Sequence, residues 1–240
     1  MLKRRAVIGG LALAPLAARA RSPGAALLLR RAISAMGGEA ALRAAPILRW
    51  TGEATVYAGE RTVEIGCQTV VEPFSYYRSR TWLKERPMEV RELLIDGDEG
   101  IAIINAQHRP MPGAMRDHER DQYSLYGLMR LVPLLDGGAD PVPAAPDEAA
   151  LRVARPDLPE TTLVFDAATT RLLRAENRVR GDAGGALVAQ TIRFSDSIDG
   201  GGLTWPRVVE IEREGLPYLR LMLTTFQPGR TRDLPVSKAA

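Results

Sequence analysis

The residues able to do chemistry in this chain are few and scattered. It has two histidines, His108 and His118. The first falls in a basic, proline-containing stretch; the second opens a run with helical spacing. Asp117, Glu119 and Asp121 surround His118, but adjacent helix positions point to different sides, so the four do not converge on a metal. Cys67, the one cysteine, rules out an intramolecular disulfide. It alternates with Val63 and Ile65, the pattern of a buried, inert thiol rather than a nucleophile. Asp96-Gly97-Asp98-Glu99-Gly100 has the acidity of a calcium loop without its ligand spacing, and reads as a hairpin turn. The chain lacks a GxSxG elbow, a phosphate-binding glycine loop, an HExxH and a CxxC. The expectation is a non-enzyme without catalytic residues, cofactor or metal.

Arg78 carries more information. It shares one face of a strand with Phe74, Tyr76 and Trp82. A guanidinium among aromatic rings either snorkels over a surface or stands at the mouth of an apolar cavity. The alternation leaves both alternatives open. Trp205-Pro206 interrupts another strand and marks an edge or bulge, because proline cannot donate to a ladder.

Strands must position these residues. From Leu163 to Phe226 four strand patterns follow one another with turn chemistry between them, at Asp166 to Thr169, Gly181 to Gly185, Gly200 to Gly202 and Gly215 to Pro217. Leu173, Ala175 and Val179 fall on one face, opposed by Arg174, Glu176, Arg178 and Arg180; Val188, Ile192 and Phe194 repeat the pattern. Connections this short join antiparallel neighbours. Upstream, strands are expected from Trp50 to Tyr57, Thr62 to Val71, Phe74 to Leu83, Met88 to Ile95 and Gly100 to Asn105. Shorter ones fall at Leu151 to Val153 and Leu163 to Phe165, making eleven in all. Residues 24–36 read as a helix stopped by Gly37-Gly38, and Glu39 to Ala45 as a second short helical piece. Between about Gly113 and Leu135 apolar residues recur at three and four, giving a helix or helix pair broken before Pro133. Asp136 to Asp147 is rich in proline and glycine and is expected to be irregular. The fold class is therefore mainly β: one antiparallel sheet, curled because it is long, whose apolar concave face needs the helices as a cover.

At 240 residues with 45% hydrophobic and 25% charged side chains, the chain has ordinary globular values and material for a sizeable core. It reads as a single domain over 21–240. Its formal charge of +3 owes much to Lys3, Arg4, Arg5 and Arg19, which precede any acid. The remainder is nearly neutral, which excludes an electrostatic case for nucleic acid. Residues 1–20 have a basic start, an apolar stretch from Ala6 to Ala18 and a small-x-small site at Ala18-Arg19-Ala20, the layout of a cleaved secretory signal. Arg4-Arg5 looks like a loose twin-arginine signal, and an ordinary general-secretion signal is the alternative. Either predicts a soluble periplasmic protein with no transmembrane segment in the mature chain.

Taken in order, these elements resemble the periplasmic outer-membrane lipoprotein carrier superfamily (LolA-like and RseB-like). The resemblance rests on a helix ending in Gly-Gly-Glu-x-Ala-Leu, Pro73 followed by Arg78, the Ile95-Asp96-Gly97 turn and the mid-chain helix. It extends through Phe165-Asp-x-x-Thr and Phe194-Ser-Asp to Gly202-Leu-x-x-Pro206, covering about Ala25 to Phe226. It implies an incomplete β-barrel of about eleven antiparallel strands, covered by helices around an apolar cavity for acyl chains. It also implies that Arg78 matches an arginine near that cavity. The chain departs from the lipoprotein carrier in its larger helical excursion over 106–138 and its aromatic content of only 5%. The expected function is a non-enzymatic carrier for a lipid or lipoprotein acyl chain, with an envelope-sensing module that binds a protein partner as the alternative. The candidate lining is Ile65, Tyr76, Trp82, Leu125, Met129, Leu173, Ile192 and Phe194, with Arg78 near the rim.

Overall fold

The computed structural model describes residues 23–135, 139–156, 158–181 and 185–235. The expected signal segment 1–20 lies outside the described residues. Two helices come first, α1 (Pro23–Ala35) and α2 (Glu39–Ala44), then six strands: β1 (Leu48–Ala58), β2 (Arg61–Glu72), β3 (Tyr76–Leu83), β4 (Arg86–Asp96), β5 (Glu99–Ile104) and β6 (Gln107–Pro110). Helix α3 (Gly113–Met129) and a 3-10 turn (Val132–Leu134) follow. The chain ends with β7 (Ala139–Val142), β8 (Glu148–Val153), β9 (Thr161–Asp166), β10 (Leu172–Arg180), β11 (Leu187–Gly200), β12 (Leu203–Arg213) and β13 (Leu216–Phe226).

The strands form one antiparallel sheet in the order β6-β5-β4-β3-β2-β1-β13-β12-β11-β10-β9-β8-β7. The first and last strands meet in the middle, Trp50 opposite Phe226. The two edge strands, β6 and β7, are consecutive in sequence and joined through α3, which therefore crosses the sheet face. Those two edges are also the strands beyond the expected eleven. Residues 139–142 were expected to be irregular for their prolines, yet they pair with β8. A proline-bearing segment is admissible there because an edge strand has one side free of ladder bonds.

The sheet is strongly curled. Neighbouring strands lie about 4.8 Å apart, so β4 and β10, seven strands apart in the sheet, would stand roughly 34 Å from each other if it were flat. Yet two adjacent residues of α3 hold both at once: Arg120 donates to Gly97 O beside β4 at 2.6 Å, and Asp121 pairs with Arg180 of β10 at 2.8 Å. Only a sheet wrapped around the helix permits that. Inside the wrap lies one apolar cluster, in which α1 contributes Leu29 and Ile33, α2 Leu42, and the sheet Leu48, Phe165 and Trp205. The helical run breaks where the sequence predicts: α3 stops at Met129, and Leu131 turns left-handed at φ 61° before Pro133. On the outer face, the segment after β13 doubles back over β1 to β3. Gly229 pairs with Ile47, Pro235 O accepts from Gln68 at 3.1 Å, and Arg232 reaches Glu72 at 2.6 Å. No described helix is long and apolar enough to cross a membrane.

Candidate functional site

Strand alternation decides which side chains face the interior. On β1 these are Trp50 and Ala54, on β2 Ile65 and Cys67, and on β3 Tyr77, Ser79 and Thr81. The other face of β3 points outward. There Arg78 Nε and Arg80 Nε hold the two oxygens of Glu92 at 2.7 and 2.5 Å. Burial alone would raise the Glu92 carboxyl, but its bonds to the two arginines hold it below its ordinary value. Trp82 lies flat over Gly66, where any side chain would collide with the ring. Tyr76 is capped by Arg232 from the tail, 4.4 Å from its ring. Arg78, Tyr76 and Trp82, expected at the cavity, thus sit on the opposite face, because the inward register of β3 begins one residue later.

Among the described residues, two sizeable cavities lie between the helices and the concave face of the sheet. The first, of about 320 Å³, lies between α1 and β9 to β12. Its walls are largely apolar: Ala32 and Ala35 from α1 with Met36 just beyond it, Met129 at the end of α3 with Leu131 after it, and Leu172, Leu173, Phe194 and Trp205 from the sheet. Leu172 and Leu173 both face it because the β9–β10 register shifts between Leu172 and Arg174. Three of its lining residues, Leu131, Thr170 and Asp196, are non-glycine residues with φ of 61°, 58° and 51°. Left-handed backbone is costly for a β-branched threonine or a leucine, and such strain collects where a structure must hold a special surface.

The second cavity, of about 260 Å³, lies between α3 and the opposite part of the sheet. Trp50, Tyr77, Tyr123 and Tyr126 wall it, with Ile65, Leu125 and Ile192. Burial raises the Tyr77, Tyr123 and Tyr126 phenols above their ordinary value, and Tyr77 donates to the Tyr123 hydroxyl. Cys67, also in the wall, is buried and its thiol is pushed up to about 12, an inert group. Of the nine residues expected together, Met129, Leu173 and Phe194 therefore line the aliphatic cavity, Ile65, Leu125 and Ile192 the aromatic one, and three the outer face. The two cavities adjoin: Ile192 and Phe194 are next neighbours on one face of β11, and Leu125 and Met129 are one turn apart on α3.

His118 and Asp121 perform a structural task. The ring Nδ1 stands 2.7 Å from Arg180 O, so it is the donor there, and Arg180 Nη1 reaches Asp121 at 2.8 Å; together they pin α3 to β10. Among the described residues no group of three His, Cys, Asp or Glu side chains is placed to hold a metal ion. The sequence reading missed Trp50, Tyr77, Tyr123 and the strained rim of the aliphatic cavity. A signal existed for the faces of β3 alone: Gly66 pairs with Trp82, and a glycine opposite a tryptophan marks that face as the one the ring covers. Nothing in the local sequence announces the left-handed residues.

No family model matches the sequence, and no curated protein sequence matches it. Solved structures do. The chain is similar to a LolA superfamily protein from Nitrosomonas europaea at TM-score 0.56 and 14% identity, covering 88% of this chain and 94% of that one. It is similar to a DUF1329 family protein from Desulfovibrio piger at TM-score 0.55 and 11% identity, covering 85% and 92%. A domain from Vibrio parahaemolyticus assigned to outer-membrane lipoprotein sorting matches at TM-score 0.52 and 10% identity, covering 85% and 91%. At these identities the likeness is one of fold, and it extends over nearly the whole described chain. The chain has the LolA-like fold.

Proposed function

We propose that the chain is an exported, non-enzymatic binding or carrier protein whose aliphatic cavity holds the hydrocarbon of a lipid or acyl chain. The observation that carries this reading is the largely apolar space between α1 and β9 to β12, open to solvent at a rim held in strained backbone. Its volume of about 320 Å³ is at the small end of ligand sites and suits one chain rather than several. Burying a 14-carbon chain at roughly 0.8 kcal/mol per methylene gains on the order of 10 kcal/mol before ordering costs. The lipoprotein-sorting assignment of one solved structure with this fold supports the same class of ligand. Export rests on the signal-like residues 1–20, with cleavage after Ala20 and release into the periplasm.

The test is lipid extraction and native mass spectrometry of the protein purified from its own envelope. Co-purified acyl species at near-equal stoichiometry are expected. An empty protein that also fails to take up fluorescent fatty acid at micromolar concentration would overturn the reading. N-terminal sequencing of the same material is expected to begin at Arg21; a retained Met1 would remove the export proposal.

A further inference from the structure

We propose that the aromatic cavity is a second ligand site, separate from the aliphatic one, and that it takes a small amphiphile bearing a carboxylate or phosphate. Four features converge on that chemistry. The walls Trp50, Tyr77, Tyr123 and Tyr126 offer flat ring surface, which accepts either a short alkyl chain or a ring. The β3 wall adds hydroxyls: Ser79, bonded to Thr69 at 3.0 Å, and Thr81 nearer the mouth. Arg91 stands at that mouth, in register with Thr81, on the same face of β4 as Leu93. Its side chain is exposed and meets no carboxylate among the described residues. Across the opening Arg213 is held in place, its guanidinium over the Tyr218 ring at 3.4 Å and its Nε donating to Gln190 at 3.2 Å.

The charges at this mouth favour a single anion. Arg91 and Arg213 are set against one carboxylate, Glu119, with His118 beside it. An entering carboxylate or phosphate would meet Arg91 in a charge-assisted bond while its apolar part lies on the rings. Glu119 opposes a ligand with several anionic groups. The aliphatic cavity offers another setting: its basic side chain, Arg171, is at a rim shared with Asp196 and hydroxyl residues.

The three tryptophans provide a reporter for each place: Trp50 lines the aromatic cavity, Trp205 the aliphatic one, and Trp82 lies on the outer face. The exported protein, labelled with 5-fluorotryptophan, is titrated by fluorine NMR with octanoate, octanol and inorganic phosphate, and separately with myristate. Octanoate is expected to shift the Trp50 resonance and to bind about tenfold more tightly than octanol, the advantage of one charge-assisted contact. Arg91→Gln, an exposed substitution, is expected to abolish that preference while octanol binding and the unliganded spectrum stay unchanged. The proposal is overturned if octanoate shifts Trp205 alone, if acid and alcohol bind equally, or if Arg91→Gln keeps the preference. It is also overturned if inorganic phosphate binds as tightly as octanoate, which makes the mouth a plain anion site. Myristate read at Trp205 reports on the aliphatic cavity independently, so loss of either site is seen without loss of the other.

Discussion

Replacing Arg78 with leucine separates two accounts of this residue. If the guanidinium served a bound head group, Arg78→Leu would change ligand binding and leave stability nearly intact. The structure gives the opposite expectation, because Arg78 is one of three residues in an ion cluster on the outer face. Its side chain is 30% exposed and Glu92 only 8%. Breaking a fully buried pair costs about 3–5 kcal/mol, and an exposed one about 0–1. Glu92 keeps its second partner, Arg80, in the variant. The cost should therefore lie between these limits, at about 1–2 kcal/mol. For a chain of this size each kcal/mol moves Tm by about 2–4 °C, so a fall of roughly 2–8 °C is expected in calorimetry. Binding of a fluorescent fatty acid should be unchanged within twofold at a temperature where both proteins are folded. Unaltered Tm together with a tenfold or greater loss of affinity would refute the assignment of Arg78 to the outer-face pair.

Further outcomes follow from the same geometry. Because Glu92 is held below its ordinary value, it contributes stability above its unfolded pKa of about 4.3 that is lost as pH falls through the folded value. Wild type should accordingly lose Tm more steeply below about pH 4 than Glu92→Gln, and parallel profiles would contradict this. Ala35→Trp, placed on an exposed helix position at the aliphatic cavity, should lower fatty-acid affinity at least tenfold with circular dichroism unchanged; retained affinity would remove that cavity as the site. In a spectrophotometric titration Tyr77, Tyr123 and Tyr126 should stay protonated through the ordinary phenol range while the protein is folded; six phenols ionising together near pH 10 would contradict their burial. Gly127→Leu should destabilise by several kcal/mol in urea denaturation, because the Phe74 ring lies against the Gly127 backbone; a neutral effect would show that this contact is not formed.

Strand order and class were legible because each strand carries a period of two and each turn its own chemistry. Ala175, Ile192 and Phe194 join the core that their alternation implies, and Val179 is buried. What alternation does not contain is the identity of the inner face. On β3 one face reads Tyr77, Ser79, Thr81 and the other Tyr76, Arg78, Arg80, Trp82, and the second is the more aromatic. The outer face here has its own cover, the returning tail at Arg232 and the Glu92 pair, so aromatic residues are stable on it. Residues 107–110 escaped notice as a strand because four residues are too few to show a period, and 139–142 because their prolines read as irregular chain. The division of the interior into two cavities depends on where α3 runs, a tertiary fact that no local pattern holds. The resemblance to the lipoprotein carrier superfamily carried the shape correctly, whereas the arginine it singled out lies outside the cavities.

Hydrocarbon held between α1 and β9 to β12 can be located in a crystal structure of the protein with terminally brominated myristic acid. An anomalous bromine peak is expected inside the aliphatic cavity, within contact of Met36, Phe194 or Trp205. Bromine on the outer face beside Trp82, or no ordered bromine in a crystal soaked to saturation, would contradict it.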